Sequence, residues 1–398
     1  MVYNTRPAQR ESAYEAYLLQ VLRRLLVMII FVFLISLLLI PFHETSDLQK
    51  TDFKALTFDW QTNPRDRLSP IDPAFGSFNV LLDSHAHTTV SDGKLTPEQL
   101  VEYAIAQGYN AMIVTDHNTV DGGLRAEEYA NTHHPGRFIV IPGMEYSSCR
   151  IHMNFINVNV TVTEGNKAQP TDEDIRTAIA RAHELGGLVI VNHIPWSNTT
   201  IGTFKTPRLP NHPSIESLID WGVDGFEVVN QATFDLPTFQ HLQSLNGSGE
   251  PKMIMMTGSD IHSPEPAYAW TILNARQFTK ESIMREIQAG RTSFLFDPTG
   301  STGRADHVYS SKYLALAPLS ELADYFGSFY DRYTGQYSFH GSHCQNEIVD
   351  VHGLSIGCFM MYFVAALVLF EIILKLFRVV GRKIHRRRSH TAWDDSVL

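Results

Sequence analysis

The chain has 398 residues, of which 42 are acidic and 32 basic, with 18 histidines and three cysteines. Its length and ordinary hydrophobic content exclude a disordered polymer and leave room for one large core plus appendages. Cys149, Cys344 and Cys358 show no C-x-x-C spacing, which argues against a sulfur-based zinc site or a disulfide framework. Cys358 lies in an apolar run, and a Cys149–Cys344 bridge is possible only outside the cytoplasm and is the less expected state.

In chain order, residues 1–24 read as a short polar tail. Residues 25–42 are apolar except for Ser36, long enough to cross the ~30 Å core of a bilayer. Arg23 and Arg24 precede this run, while His43, Glu44 and Asp47 follow it. With no small-residue cleavage site before Pro41, it reads as an uncleaved anchor. Residues 43–78, with Pro64, Pro70 and Pro73, form a linker.

From residue 79 strands alternate with helices. Strands are expected at 79–82, 111–114, 138–141, 154–160, 188–191, 225–229, 253–256 and 270–273. Helices are expected at 97–107, 124–131, 172–185, 214–221, 238–245 and 280–289. Repeated βα units of this number predict an irregular parallel barrel over residues 79–299. Residues 300–353 break the pattern and form an accessory segment, with a helix at 318–330 that takes Pro318 as its first residue. A second apolar run, residues 354–374, contains Glu371 and is followed by a basic tail, 375–398, that includes Lys375, Arg378, Arg382 and Lys383. Basic flanks on the outer side of each run place both termini in the cytoplasm and the body outside it. Residues 43–353 carry about 21 basic and about 37 acidic side chains. That balance argues against an extended nucleic-acid surface, which needs Lys and Arg in quantity.

The chemistry-bearing residues cluster at the expected strand ends. Val80-Leu81-Leu82 leads into Asp83-Ser84-His85-Ala86-His87, and strand alternation puts His85 and His87 on one face. Neutral imidazole is the commonest metal ligand. A turn, Ser91-Asp92-Gly93, adds a carboxylate, and Thr96 then caps the next helix with Pro97 at its first position. The second strand ends in Thr115-Asp116-His117. Glu145 follows the third strand, His152 follows shortly after, His193 ends the fifth, and Asp260 and His262 close the run Gly258-Ser259-Asp260-Ile261-His262. In a parallel barrel all these positions share one rim. Buried without a counter-charge the set would be costly, so it reads as a metal site.

These motifs, H-A-H, S-D-G-x-L-x-P, T-D-H-N-T, I-P-G-M-E, N-H-x-P and G-S-D-x-H in this order, resemble the PHP family, named for polymerase and histidinol phosphatase. Residues 79–297 are covered, and the branch most similar is that of small phosphoesterases acting on nucleotides and oligonucleotide ends. The resemblance implies a distorted (β/α)7 barrel, here flanked by N- and C-terminal transmembrane helices, holding two or three divalent ions of Zn, Mn or Fe. His85, His87, Glu145 and Asp260 would hold one ion, with Glu145 bridging; Asp92, His117 and His262 a second; His152 and His193, with Glu145, a third. A metal-bound hydroxide held at Glu145 and Asp260 would attack phosphorus in line.

Asp116 and Asn192, each beside a candidate ligand, are candidate orienters. Arg150 and Trp196 are candidate substrate contacts, and Lys205 and Arg208 are surface charges in a Pro-rich loop. The expected partners are a small phosphorylated substrate and the lipid bilayer. The expected function is therefore a membrane-anchored, metal-dependent phosphoric ester hydrolase. The alternatives are a metal-binding envelope module without turnover and a hydrolase of an amide or lactone bond.

Overall fold

The computed structural model describes residues 6–44, 50–198, 209, 211–247, 252–303, 305, 308–333 and 336–394. Lys205 and Arg208 lie outside the described residues. The chain divides into two units: Thr51–Tyr309 with Thr334–Glu347, and Met1–Lys50 with Ser310–Tyr333 and Ile348–Leu398. The accessory segment expected at 300–353 is thus shared between the two.

The second of these units contains the first helix of the chain, α1 (Arg6–Glu44). The barrel unit follows as β1 (Val80–Asp83), α2 (Pro97–Ala106), β2 (Ala111–Val114), α3 (Asp121–His133), β3 (Ile139–Ser147), β4 (His152–Ile156), α4 (Asp172–Glu184) and β5 (Leu188–Val191). It continues as α5 (Ile194–Asn198), α6 (Ile215–Asp220), β6 (Gly225–Asn230), β7 (Thr233–Phe234), α7 (Leu236–Gly247), β8 (Ile254–Gly258), β9 (Ala269–Leu273), α8 (Lys280–Gln288) and β10 (Ser293–Phe296).

The fold is α/β, with one curled sheet in the order β10-β9-β1-β2-β3-β4-β5-β6-β7 and β8 beside β6. Strands β1, β2 and β3 pair in parallel, as do β5, β6 and β8. Two strands expected to be parallel are not. β4 runs antiparallel to both β3 and β5, and β9 runs antiparallel to β1. The cause for β4 is its connection: only residues 148–151 separate it from β3, and a parallel return needs a crossover of a dozen or more residues. No helix separates β8 from β9 either. The strand expected at 154–160 therefore begins at His152 and ends at Ile156.

The sheet curls because Thr257 at the end of β8 accepts from both Ser84 N and Ser84 Oγ, and because Ala86 bridges to Ile261. Alternation along the strands sorts the core. Val80, Leu82, Ala111, Ile113, Ile190, Ile254 and Met256 fill one cluster, with Ile283 and Ile287 of α8 packed among them. Leu81, Met112 and Val114 point the other way, into a cluster with Leu100, Val101 and Ala104 of α2 and Ala126 and Ala130 of α3. Each fully buried Val, Leu, Ile or Met side chain among these is worth ~1.5–3 kcal/mol. Helix α2 starts where expected, because Thr96 and Gln99 form a reciprocal capping box ahead of Pro97.

The unit that begins with α1 continues with α9 (Ser311–Gly327), β11 (Tyr330–Tyr333), β12 (Ile348–Val351) and α10 (Gly353–Asp394). Helix α9 starts seven residues before the expected Pro318, because Ser310 accepts from Tyr313 N and caps it there, leaving Pro318 inside the helix. β11 and β12 form a separate antiparallel pair. Within α1 and α10 the stretches Tyr14–Leu39 and Gly353–Ile384 are long and apolar enough to cross a membrane. The first reaches into the segment expected to be a polar tail. Both leave large side chains such as Phe31, Phe33, Leu38, Met361 and Phe377 exposed.

Candidate metal centre

Beyond β1 the chain stays extended to His87, wedged between two neighbours. Thr115 N donates to Ala86 O on one side, at 2.9 Å; Asp260 N donates to His85 O on the other, at 2.8 Å. Alternation then brings His85 and His87 together, with Nε2 atoms 3.1 Å apart and both rings buried. His117, at the end of β2, bridges to Glu145 in β3. Its Nδ1 is 2.6 Å from Glu145 Oε2 and 2.6 Å from Ser147 Oγ.

The antiparallel β3–β4 register sets Asn154 opposite Glu145 and His152 opposite Ser147. It also carries His152 Nδ1 to 3.1 Å from Glu145 Oε1. His193, just after β5, puts Nε2 3.3 Å from the same oxygen. Asp260 Oδ1 lies 3.1 Å from His87 Nε2 and 3.4 Å from His85 Nε2. Asp92 Oδ1 lies 3.2 Å from His262 Nε2 and 3.5 Å from His117 Nε2. All nine candidate ligands therefore meet, with Glu145 at the middle.

Two of them are held in the left-handed backbone region, His193 at φ 27° and Asp260 at φ 48°. Such conformations cost non-glycine residues ~1–3 kcal/mol each and concentrate at functional sites. Gly258 makes close packing possible here, since a Cβ at that position would overlap Glu227 Oε1 and His85 Cβ.

Four overlapping sets have ligand atoms within 4.8 Å of one another: His87, Asp92, His117 and His262; His85, His87 and Glu145; His85, His193 and Asp260; His117, Glu145 and His152. The grouping differs from the expected one in placing His193 with His85 and Asp260, and His152 with His117.

The electrostatics follow from crowding. Burial alone would raise the Glu145 carboxyl, but His152, His117 and His85 outweigh it and hold it well below the usual range. Burial is likewise outweighed at Asp260, by His85, His87 and His193, and at Asp92, which His262 and His117 hold at about 2. Burial disfavours a charged His85, yet Asp260, Glu227 and Glu145 push it well above the ordinary histidine value. His117 goes the other way, to about 4, because burial dominates. His262 is pushed up to about 9 against its burial by Asp92 and Asp260.

No lysine or arginine is among the described residues lining this cavity. Neutral imidazoles would leave its carboxylates uncompensated, and charged ones would stand face to face; the rings of His87 and His117 are 4.3 Å apart, as are those of His87 and His262. His87 Nδ1 is buried with no hydrogen-bond partner. Nitrogen and oxygen donors crowded in this way fit divalent cations.

Of the remaining candidates, Asn192 reaches the cluster through Glu145 rather than through His193: its Nδ2 donates to Glu145 Oε1 at 2.8 Å. Asp116 does not touch His117 with its side chain. Its carboxylate accepts from Thr88 N, Thr88 Oγ1 and Ser91 Oγ, fixing the loop that carries Asp92. Trp196 lines the cavity. Arg150 is not brought to it; its guanidinium is taken up by Asn211 O, Pro170 O and Asp172 Oδ1.

Sequence reading missed Glu227. It is buried in β6, with Oε1 3.2 Å from His85 Nδ1 and Oε2 accepting from His193 N at 2.9 Å. A carboxylate inside the apolar run Gly225-Phe226-Glu227-Val228-Val229 was the available signal. Also missed were Gln336, Tyr337 and Phe339, which line the cavity from the far end of the chain. Cys149 and Cys344 form a disulfide, against expectation.

A family model described as PHP domain matches residues 83–190. The chain carries a PHP domain. The PHP match takes in His85, His87, Asp92, His117, Glu145 and His152, and stops short of His193, Asp260 and His262. Over 90 residues the chain is 36% identical to the 5'-3' exoribonuclease Rnm of Escherichia coli (strain K12), covering 21% of this chain and 30% of that protein. Over 45 residues it is 49% identical to a 5'-3' exoribonuclease of Haemophilus influenzae, covering 11% and 16%. The aligned stretches thus span less than a third of these curated relatives. Among solved structures, a two-domain protein of Bacteroides vulgatus containing a predicted PHP-like metal-dependent phosphoesterase aligns at 20% identity with a TM-score of 0.44, covering 70% of this chain and 76% of that one.

Proposed function

We propose that this PHP-domain protein is a membrane-anchored, metal-dependent phosphoesterase that hydrolyses phosphate esters outside the cytoplasm. The observation that carries the reading is the meeting of six imidazoles and three carboxylates around Glu145. His85, His87, Asp92, His117, Glu145, His152, His193, Asp260 and His262 would hold two or three ions of Zn, Mn or Fe. Bound there, such ions supply Lewis acidity to a phosphoryl oxygen and a water of lowered pKa.

The chain's own residues prepare that chemistry. Glu227 Oε1, 3.2 Å from His85 Nδ1, would accept from Nδ1–H and so turn the Nε2 lone pair to the cluster when a cation is bound. Asn192 fixes the Glu145 carboxylate. Buried His85 and His87 form the floor of the site, while exposed Asp92 and half-buried His262 stand at its mouth. In the reaction the ester P–O bond breaks, the water oxygen bonds to phosphorus, and a proton passes to the leaving alcohol. Substrates in reach of this chemistry are small phosphomonoesters, nucleotides and oligonucleotide ends, the last in keeping with the named activity of the exoribonuclease relatives.

Helices α1 and α10 would be the anchors. Arg23 and Arg24 on one, and Arg378, Arg382 and Lys383 on the other, favour cytoplasmic termini. The Cys149–Cys344 disulfide favours an oxidising compartment for the barrel.

The test uses the full-length protein in detergent, stripped by chelator and reloaded with Zn, Mn or Fe. Turnover of p-nitrophenyl phosphate or AMP that returns with metal and disappears in His85→Ala supports the reading. Stoichiometric metal with no turnover of mono- or diesters would leave only a metal-binding module. Reporter fusions at the C-terminus that prove extracytoplasmic would overturn the orientation.

A further inference from the structure

Residues 336–344 lie outside the PHP match, yet they form a wall of the metal-site cavity. Three kinds of contact hold them there. The Cys149–Cys344 disulfide ties them to the loop between β3 and β4, with Cα atoms 5.2 Å apart. Cys344 N donates to Gln336 O at 2.8 Å, and Ser338 N and Oγ both donate to Ser342 O, which closes the segment into a compact turn. His340 Nε2 lies 3.0 Å from Asn166 Oδ1 in the barrel unit.

Two side chains of the turn rest on candidate ligands. The Gln336 amide is 2.7 Å from His152 Nε2. The Phe339 ring lies flat on His117, with centroids 3.6 Å apart and planes 20° from parallel. Phe339 takes φ 56°, a conformation an aromatic residue rarely adopts and one that the surrounding turn must hold in place. Tyr337 packs edge-on against Phe339 at 5.3 Å. With Trp196, these two rings give the cavity three aromatic linings. Its volume is about 430 Å³, at the small end of the ~300–1,000 Å³ found for small-molecule sites.

We propose that this disulfide-pinned turn is the specificity wall of the site: it admits one terminal phosphate carried on a compact flat group, such as a nucleoside, and shuts out polynucleotide chains. The proposal rests on the phosphoesterase reading above. Aromatic faces stack any base without reading its sequence, which suits a mononucleoside lying against Tyr337 and Phe339. A chain continuing beyond its terminal nucleotide would have to displace a turn that a covalent bond fixes to the barrel. The wall comes from residues 187 or more positions beyond Cys149, so a PHP barrel lacking this extension would keep the metal cluster without the restriction.

The experiment compares the metal-loaded full-length protein with Phe339→Ala and with the Cys149→Ser/Cys344→Ser double variant. kcat and KM are measured for AMP and for a 5'-phosphorylated oligoribonucleotide, AMP binding by calorimetry, and metal content by elemental analysis. In both variants, the ratio of kcat/KM for the oligoribonucleotide over AMP should rise at least tenfold with metal content kept. AMP affinity should fall about tenfold in Phe339→Ala, the effect of losing one aromatic stack. Unchanged ratios at full metal content, or a native protein that already degrades the oligoribonucleotide as readily as AMP, overturn the proposal. If the double variant fails to fold, Phe339→Ala decides alone. If no ester is turned over by any form, the phosphoesterase reading fails instead, and the AMP calorimetry still decides whether the wall binds a nucleoside phosphate.

Discussion

Asn192 Nδ2 lies 2.8 Å from Glu145 Oε1 and 2.9 Å from Asn154 Oδ1, so one amide couples the central carboxylate to β4. The same side chain accepts from Asn154 N at 3.2 Å. Removing it frees the Glu145 carboxylate to rotate while the other candidate ligands stay in place. Asn192→Ala is expected to weaken metal affinity by ~10–100-fold, the usual effect of losing a partner behind a ligand. Competition titration against a chromophoric chelator measures this; an unchanged affinity would remove Asn192 from the metal site.

Glu227 makes a graded prediction. It accepts from His85 Nδ1, from His193 N and from Asn230 Nδ2 while almost wholly buried. Glu227→Gln keeps an acceptor for His85 but loses the charge, so affinity should fall by about tenfold. Glu227→Leu removes the acceptor and should cost ~100-fold. The order of the two variants matters more than either value. Equal affinities would mean that the His85 tautomer is set elsewhere.

These two residues also mark how far the sequence could be read. The meeting of the nine candidate ligands was legible because most sit in short motifs at or just beyond a strand end, where a buried histidine or carboxylate has few structural uses. Asn192 was legible as a neighbour, although its partner is Glu145 and not His193. Glu227 was not, since within Gly225-Phe226-Glu227-Val228-Val229 nothing local says that the carboxylate faces His85 across the sheet. The direction of β4 was hidden because a short connection was read as part of a parallel series. Phe339 on His117 could not be foreseen at all, because that contact depends on a disulfide between cysteines 195 positions apart. The two apolar helices were plain from length and composition, though α1 starts earlier than its most apolar stretch.

A pH-dependent contribution to stability is expected away from the metal cluster. His183 Nε2 lies 2.8 Å from Asp224 Oδ2, and that hydrogen bond raises the histidine's pKa above its ordinary value of 6.5 despite partial burial. The folded state therefore binds the proton more tightly than the unfolded chain. The contribution is fully present below about pH 6.5 and is lost as the pH rises through the raised value. Solvent screens the pair, so its size should stay under about 1 kcal/mol. The melting temperatures of the native protein and His183→Gln should thus differ more at pH 5.5 than at pH 9. A difference that grows toward high pH contradicts the assignment.

In the unit formed with α1 and α10, Arg24 Nη1 pairs with Glu371 Oε1, and Tyr17 OH donates to Glu371 Oε2 at 3.3 Å. The Glu371 side chain is only 11% exposed. A carboxylate on an apolar helix is tolerated when it faces an opposite charge, and this contact pairs α1 with α10. Glu371→Ala leaves Arg24 without its anionic partner and should cost about 1–3 kcal/mol. The exchange Arg24→Glu with Glu371→Arg restores opposite charges in the same place and should recover part of the loss, where Arg24→Glu alone sets two carboxylates together. Thermal unfolding in detergent, followed by circular dichroism, gives the four values of the cycle. A double variant no more stable than the sum of its single changes would show that the two charges do not act as a pair.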